Sequence, residues 1–379
     1  MRRGWPRCSA RPRPNRSAGL VYLDANATEP LRPEARAAAI AALDLVGNPA
    51  SVHGPGRHAR RILEAARLTL AAQFGVARDA VIFTSGGTEA NALAAASVGA
   101  GRRILVCATE HDAVRAACPG ADVLAVDRDG IADLDALEHW LADGPPALLC
   151  LMLANNETGT IQPIEAAAAL CHRHGGLIHV DAVQAAGRMA FTLAALGADS
   201  VAISGHKMGG PKGAGALLLA ADRTVPALIA GGGQERGRRG GTPALPAIAG
   251  LAAAAQAAPA DLLGLRREIE RAATAAGGVV LGGARRLDNT ACIGLPGVKA
   301  ETQVIALDMA GVAVSAGAAC SSGKVARSHV LDAMGLGALA GEAIRVSLPW
   351  SATEADVAAF ALAYAAMAER LARRPLLVS

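Results

Sequence analysis

The sequence predicts an α/β protein with a large domain built on a mostly parallel sheet and a smaller α+β domain. Two observations lead to this prediction. Short apolar runs recur along the first part of the chain between segments of helical spacing, which is typical of a parallel sheet covered on both faces. Beyond about residue 261, helices and strands alternate without such a series. A chain of 379 residues is long enough for about two domains.

Seven apolar runs have the length and composition of buried strands. In chain order they are residues 80–84, 104–108, 123–126, 147–153, 177–180, 200–203 and 214–219. Segments with helical spacing separate most of them, such as 57–74, 134–141 and 164–174. We therefore expect a mostly parallel, seven-stranded sheet.

Polar residues cluster directly after several of these runs, at positions 110–111, 155–157, 181–184 and 206–207. Because the carboxyl ends of parallel strands meet at one edge of a sheet, we expect these side chains to converge on one pocket. This recurrence indicates a functional site more strongly than any single motif does.

The expected domain limits follow from composition and pattern. Residues 1–18 contain six arginines, three prolines and no acidic residue, which predicts a disordered basic tail. Residues 19–260 are expected to form the large domain. Residues 261–379 are expected to form the smaller domain, with helices at 261–276, 301–310 and 354–373 and strands at 279–281, 289–295, 312–314 and 343–348.

The composition excludes several classes of protein. The chain is 52% hydrophobic and 18% charged, which is an ordinary globular balance, and its net charge of +4 does not argue for nucleic acid. No apolar run reaches the length of a membrane span. The seven cysteines have no zinc-site spacing and no secretory signal is present, so we expect a reducing cytoplasm. Cys107, Cys150 and Cys171 lie in apolar segments and are expected to be inert core residues.

Lys207 is the first candidate for covalent catalysis. It follows the apolar run 200–203 and precedes several glycines, where the backbone comes close to another group. Desolvation at a strand end makes a lysine amine a better nucleophile, as a Schiff base with an aldehyde requires. The alternative is a surface lysine in a glycine-rich turn.

Asp181 and the pair Gly87 and Thr88 extend this candidate site. The pair opens a predicted helix, where free backbone amides attract an anion, although a plain helix cap explains it equally well. Asp181 follows a buried strand and either caps the next helix or pairs with a protonated ring nitrogen. A pyridoxal-phosphate site needs a Schiff-base lysine, an acid at the pyridinium nitrogen and a phosphate cradle. With Lys207, these residues favour that cofactor.

Two residues of the smaller domain are candidates for contact with a substrate. Cys320 lies among small residues and glycines, which favours an exposed, reactive thiol; the alternative is an incidental loop cysteine. Arg345 lies inside the apolar run 343–348, where a guanidinium needs a carboxylate. Either a substrate α-carboxylate or an internal salt bridge satisfies that need.

The glycine- and arginine-rich segment 231–242 allows two interpretations. One is a flexible RNA-binding tract. The other is an ordered loop whose arginines and backbone amides bind phosphate. The second is favoured because the segment lies between folded parts and ends on Thr242 and Pro243, just before a helix.

The motifs together resemble the cysteine desulfurases, which are fold-type I pyridoxal-phosphate-dependent transferases of aminotransferase class V. The matching motifs are DANATEP, GNPASVHGPGRHAR, FTSGGTEAN, ATEHDAV, LANNETG, HVDAVQAAG, SGHKMGGPKGAGAL, GGGQERGRRGGT, SAGAACSSGKVARSHVL and AIRVSL. They span about residues 21–370, nearly the whole chain. The SAGAACSSGK segment resembles the NifS/IscS-like group.

The resemblance implies roles around the cofactor pyridoxal 5'-phosphate. Lys207 would form the Schiff base and move the substrate Cα proton, Asp181 would pair with the pyridine nitrogen, and His111 would stack on the ring. The other implied cofactor contacts are Gln184 and Asn156 at the phenolic oxygen, Gly87, Thr88, Ser204 and His206 at the phosphate, and Thr242 at the phosphate of the neighbouring subunit.

The resemblance also implies the reaction and its partners. Sulfur would leave L-cysteine, giving L-alanine and a persulfide on Cys320. This sulfur would pass to an acceptor or iron–sulfur scaffold protein, with Cys320 as a transient iron–sulfur ligand. Asn48 and Arg345 would bind the substrate carboxylate. A cytoplasmic homodimer is implied, without membrane or direct nucleic-acid partners.

Two other functions remain open at this point. One is another class V enzyme, such as a selenocysteine lyase or an aminotransferase, although a transaminase needs no thiol at position 320. The other is a non-catalytic sulfur- or RNA-binding protein on the same fold. Lys207 and Cys320 both argue against the second.

Overall fold

The computed structural model describes residues 19–220, 225–317 and 327–372. The strands in chain order are β1 Val21–Tyr22, β2 Val81–Thr84, β3 Arg103–Cys107, β4 Asp122–Leu124, β5 Ala147–Cys150, β6 Leu177–Asp181, β7 Ser200–Ser204, β8 Gly215–Leu219, β9 Val279–Leu281, β10 Thr290–Gly294, β11 Val312–Ala313, β12 Ser315–Ala316 and β13 Ala343–Ser347. The α-helices are α1 Pro33–Leu43, α2 Gly54–Phe74, α3 Gly87–Ser97, α4 Asp112–Arg115, α5 Leu134–Ala142, α6 Ile164–Arg173, α7 Leu193–Leu196, α8 Leu245–Ala255, α9 Leu263–Ala275, α10 Ala300–Met309, α11 His329–Ala333 and α12 Glu354–Ala372.

The large sheet has seven strands in the order β2-β8-β7-β6-β5-β3-β4. Only β8 runs antiparallel to its neighbours; the pairs from β7 to β4 are parallel. Each of these strands coincides with one of the apolar runs predicted from sequence. The α/β fold with a mostly parallel, seven-stranded sheet is therefore confirmed.

Helices cover both faces of the large sheet. Alternate residues of β2 show this, because Val81 and Phe83 lie in one apolar cluster while Ile82 lies in another. The first cluster includes residues of α1, α2, α5, α6, α7 and α8, and the second includes residues of α3 and α4. This two-sided burial explains why the strands are apolar throughout rather than alternating.

A second sheet, in the order β12-β13-β10-β9, is antiparallel and packs with α9 and α12 around a separate apolar cluster. Strand β1 pairs in parallel with β11, and Leu23 lies in this same cluster. The α+β character of the C-terminal part thus agrees with the sequence pattern. The domain boundary near residue 260 stays a prediction, to which the structure adds that residues 21–23 pack with the C-terminal part.

Several boundaries of helices and strands differ from those expected from the sequence. Helix α2 begins at Gly54 rather than near residue 57, because the His53 ring accepts the Gly56 amide hydrogen and Pro55 occupies the first turn. The strand expected at 312–314 is present as β11, and directly after it the structure has a further short strand, β12, which pairs in a different sheet and was not expected. Helix α1 was not anticipated. Within residues 19–220, 225–317 and 327–372, no helix combines the length and apolar character that crossing a membrane requires.

Candidate active site

Lys207 lies at the carboxyl end of the large sheet. Strand β7 ends at Ser204, and a single 3-10 turn over Gly205–Lys207 carries the half-buried lysine. Its Nζ donates to the backbone carbonyl of Asn26 at 2.5 Å. The lysine therefore points into the structure, not away from it as in the surface-turn alternative.

Asp181 lies at the end of β6, the strand next to β7, and is 6% exposed. Its carboxylate accepts hydrogen bonds from Asn91 Nδ2 at 2.7 Å and from the Val183 amide at 2.9 Å. Burial raises the pKa of Asp181, while these two donors and the charges of His111 and Lys207 lower it. Because the charges of His111 and Lys207 act on the pKa of Asp181, these three residues lie in one neighbourhood.

The start of α3 has the features of a phosphate cradle. A Cβ on Gly87 would lie 2.6 Å from the Val183 side chain, so any other residue would force Val183 to move. No side chain in the part of the chain that the structure describes caps the N-terminus of α3, where free backbone amides attract an anion. Beside it, the Ser204 hydroxyl is buried and has no hydrogen-bond partner among the described residues. An unpartnered buried hydroxyl at a helix N-terminus fits a phosphate oxygen. With Lys207 and Asp181, the residues present fit pyridoxal 5'-phosphate.

His206 lies next to this cradle. Its Nδ1 is 3.2 Å from the Thr28 hydroxyl. Burial, and then the charges of Lys207 and Lys212, lower the pKa of His206 to about 4. The ring is therefore neutral near pH 7 in the protein without a bound anion.

Asn26 connects these groups and was not among the residues predicted from sequence. It is fully buried, and its carbonyl accepts from Gln184 Nε2 at 3.1 Å as well as from Lys207. Its side chain donates to the Asn156 carbonyl at 3.1 Å and to Thr290 Oγ1 at 2.9 Å. Asn26 thus ties the lysine to β10 of the second sheet. The sequence offers only one signal for it, a polar residue just after a short strand.

Arg345 lies in β13 and is 2% exposed. It forms an ion pair with Asp24 at 2.8 Å and donates to the Asn156 carbonyl at 3.0 Å. Its Nε has no hydrogen-bond partner among the described residues. The internal salt bridge considered from sequence is therefore present, and one donor of the guanidinium remains for another acceptor.

Two buried glutamates line the same region. Glu110 accepts from the Met152 amide at 2.5 Å, and burial together with the charge of Asp181 raises its pKa well above the usual range. Glu157 accepts from the Ser328 hydroxyl at 2.6 Å, and burial is the main cause of its raised pKa, which His329, Arg345 and His111 lower. Both residues come from polar clusters that sequence reasoning expected to converge.

Three predicted site residues, Asn48, Thr88 and Thr242, are exposed. Asn48 Oδ1 accepts the Ala50 amide hydrogen at 2.9 Å. Thr242 lines a separate cavity with Ser85 and residues of the preceding loop. Cys320 lies outside the described residues. The roles assigned to all these residues stay predictions.

The arginines of the 231–242 loop contact acidic residues of this chain. Arg239 pairs with Glu89 at 2.8 Å, and Arg236 pairs with Asp79. The phosphate contact expected of the loop stays a prediction. The loop itself is ordered, as expected.

Three cysteines behave as the sequence indicated. Cys107, Cys150 and Cys171 are buried free thiols. Burial raises the pKa of Cys107 and of Cys171 to about 12, which keeps both in the unreactive thiol form.

Comparison with known proteins agrees with this geometry. Residues 21–360 match the aminotransferase class-V family. The chain therefore belongs to the aminotransferase class-V family.

Individual relatives show which group within this family the chain resembles. A cysteine desulfurase of Cereibacter sphaeroides is 42% identical over 359 residues, covering 89% of this chain and 92% of the relative. A NifS-like protein from Rickettsia africae, solved by X-ray, has a TM-score of 0.86 at 31% identity, covering 92% of this chain and 99% of the other. A structure of SspA in complex with cysteine has a TM-score of 0.78 at 29% identity, covering 86% and 98%. The resemblance to cysteine desulfurases of the NifS/IscS-like group is confirmed.

Proposed function

We propose that this protein is a pyridoxal 5'-phosphate-dependent cysteine desulfurase that transfers sulfur from L-cysteine to Cys320. The observation that carries the proposal is the convergence of Lys207, Asp181 and His111 at one sheet edge, next to the glycine-lined start of α3. The relatives named cysteine desulfurase support the reaction, and the cysteine complex of SspA supports the substrate.

Each residue would hold one part of the cofactor. Lys207 would bind its aldehyde carbon, Asp181 its ring nitrogen, and His111 a face of its ring. Asn156 and Gln184 would contact the phenolic oxygen. The phosphate contacts would be Gly87, Thr88, Ser204 and His206. When bound, the cofactor supplies an electron sink for the charge that develops at the substrate Cα.

The protein groups then have defined tasks. Lys207 would move the substrate Cα proton. The unpartnered Nε of Arg345, with Asn48, would bind the substrate carboxylate. The Cys320 thiolate attacks the substrate sulfur. The new S–S bond forms as the Cβ–S bond breaks, its electron pair stays on carbon, and the protonated product is alanine.

Assembly and compartment also belong to this proposal. The exposed Thr242 would reach the phosphate of a second subunit, which supports a homodimer. The five cysteines that the structure describes are free, which supports the cytoplasm. The Cys320 persulfide would pass to a sulfur acceptor or iron–sulfur scaffold protein, with Cys320 as a transient ligand of the cluster.

The direct test is to incubate the full-length protein with L-cysteine and quantify alanine, sulfide and persulfide on Cys320. We expect one alanine per sulfur released. Cys320→Ala should keep the visible cofactor band and lose sulfide release. Lys207→Ala should lose the lysine-bound cofactor band and alanine formation. Unimpaired turnover in Cys320→Ala would contradict the proposal.

The same assay separates the nearest alternative enzymes. A transaminase would form pyruvate or a keto acid from its amino donor and would not need Cys320. A selenocysteine lyase would turn over L-selenocysteine far faster than L-cysteine. A non-catalytic binding protein would show neither product, with or without Lys207.

A further inference from the structure

A line of buried polar side chains runs behind Asp181, away from the position proposed for the cofactor ring. His179 and Asp181 are two residues apart in β6, so both side chains project from the same face of the sheet. Asn91, on α3, packs against that face. Ser200 lies directly opposite His179 in the register between β6 and β7.

The contacts form one unbroken chain. The Ser200 hydroxyl is 2.9 Å from His179 Nδ1, and His179 Nε2 is 3.0 Å from Asn91 Oδ1. Asn91 Nδ2 is 2.7 Å from Asp181 Oδ2. All four residues are at least nine-tenths buried, so water does not compete for these bonds.

An ionised Asp181 gives every bond in this chain a single direction. A carboxylate only accepts, so Asn91 must donate through Nδ2 and turn Oδ1 toward His179. The imidazole must then donate from Nε2, which leaves Nδ1 as an acceptor for the Ser200 hydroxyl. Burial lowers the pKa of His179 to about 4, so the ring is neutral and this tautomer is available near pH 7.

We propose that Asn91, His179 and Ser200 form a positioning relay that holds Asp181 as an oriented, ionised acceptor for the cofactor's ring nitrogen. This inference rests on the proposed function for the identity of the ring. Asn91 lies one helical turn after Gly87, so the helix that opens the phosphate cradle also sets the carboxylate.

Other charges near Asp181 do not replace the relay. His111 and Lys207 favour its ionised form through their charges, whereas the hydrogen bond to Oδ2 comes from Asn91. The charge of Asp181 raises the pKa values of Glu110 and Cys150, which favours the uncharged form of both groups. The Val183 amide donates to Oδ1 from the following turn. Oδ2 therefore depends on Asn91.

The test measures the ionisation of Asp181 directly. The full-length protein is labelled with carbon-13 at aspartate carboxyl carbons, and Asp181→Asn identifies the resonance. Titration before and after adding pyridoxal 5'-phosphate then compares wild type with Asn91→Leu, His179→Phe, His179→Gln and Ser200→Ala. We expect Asn91→Leu and His179→Phe to move the Asp181 midpoint to higher pH and to weaken cofactor binding about tenfold, because a hydrogen bond to a charged group is lost.

His179→Gln is the informative rescue, because its amide nitrogen reaches the position of the Nε2 donor and should keep the midpoint near that of wild type. Ser200→Ala should shift the midpoint in the same direction as Asn91→Leu, but less. Ser97→Ala is the matched control, since that hydroxyl on α3 bonds only the Leu93 carbonyl and should change nothing.

An unchanged Asp181 midpoint in folded Asn91→Leu, or in Ser200→Ala if Asn91→Leu does not fold, would overturn the relay. So would equal shifts in His179→Phe and His179→Gln. The titration without cofactor needs neither binding nor turnover. Failure of the relay is thus distinguishable from failure of the proposed reaction.

Discussion

Two buried arginines in different regions show how an ion pair can be structural or can remain available to a ligand. Arg67, under the 231–242 loop, makes two parallel bonds to Glu235 at 2.7 and 2.8 Å and further bonds to the Val81 carbonyl and Glu64. Arg345, in β13 of the second sheet, meets Asp24 through one nitrogen, and its Nε has no partner among the described residues. All three nitrogens of the first guanidinium donate to an acceptor, whereas one nitrogen of the second does not, and the proposed function assigns that nitrogen to the substrate carboxylate.

The backbone around Glu235 also distinguishes the Arg67 region. Glu235 and Arg236 have φ angles of 48° and 62°, a region that non-glycine residues rarely adopt. Such a conformation costs roughly 1 kcal/mol or more per residue and persists only where contacts hold it. The Arg67–Glu235 pair, to which the Phe83 amide also donates, supplies those contacts. We infer that Arg67 determines the shape of the loop.

The largest expected effect comes from breaking the ion pair between Arg67 and Glu235. Arg67→Met should lower the free energy of unfolding by about 4 kcal/mol, because Glu235 is left buried without its partner. Urea denaturation followed by circular dichroism measures this. The KM for L-cysteine should stay near the wild-type value. A loss below about 1 kcal/mol, as for an exposed pair, would show that the contact is dispensable.

Replacing the incompletely bonded arginine should affect the reaction more than the fold. Arg345→Lys keeps a positive charge near Asp24 but removes the planar donor set, so kcat/KM for L-cysteine should fall about a hundredfold, mainly through KM. Steady-state alanine production measures this effect. Arg67→Lys is the matched control and should leave KM unchanged. Equal effects on KM in both variants would contradict the idea that Arg345, and not Arg67, binds the substrate.

The buried His179 of the proposed relay should make the stability of the protein depend on pH. The pKa of His179 is about 4 in the folded protein against an ordinary 6.5, so below pH 6.5 the unfolded chain binds a proton that the folded protein does not. Stability falls as pH drops through this window. His179→Gln removes the titration, so wild type should lose about 2 kcal/mol more than the variant between about pH 6.5 and 4.5.

Denaturant unfolding at several pH values, with both proteins in the same buffers, gives that difference. The comparison is needed because Glu110, Glu157 and Asp181, whose pKa values are raised, shift stability in the opposite direction as they protonate. Parallel stability curves for the two proteins would mean that His179 has the same pKa in the folded protein as in the unfolded chain.

The smallest effect is expected at Ser328. Its hydroxyl accepts the Leu331 amide hydrogen at the start of α11 and donates to Glu157. Ser328→Ala should therefore cost about 1 kcal/mol of unfolding free energy. Ser328→Thr keeps the hydroxyl and serves as the control. If both substitutions have the same effect, the side chain's volume and not its hydrogen bonds is what matters at this position.

The sequence predicted the large sheet well because its strands are buried on both faces and therefore appear as unbroken apolar runs. Lys207 and Asp181 were identifiable because each lies directly after such a run, at the edge where parallel strands end. Strand β12, at Ser315–Ala316, is not predictable in the same way. It is only two residues long, and its pairing with β13 depends on residues elsewhere in the chain.

Residues that act through distant partners were not predictable. Asn91 and His179 are 88 positions apart, and Asn26 and Thr290 are 264 apart, so neither contact appears in any local window. The acidic partners of Arg236 and Arg239 were not predictable either, because composition reveals the charge of the loop but not which acids of other segments lie beside it. Hydrogen-bond partners are set by the tertiary fold, whereas periodicity reports only burial.

The parallel pairing of β1 with β11 has a consequence for synthesis on the ribosome. Residues 21–23 emerge long before residues 312–348, which complete their hydrogen bonds and cover Leu23. Residues 21–23 therefore remain unpaired and exposed to solvent while the ribosome makes the intervening chain. The last step of folding should be the capture of this early segment by the late one, and chaperone binding should be most valuable in that interval.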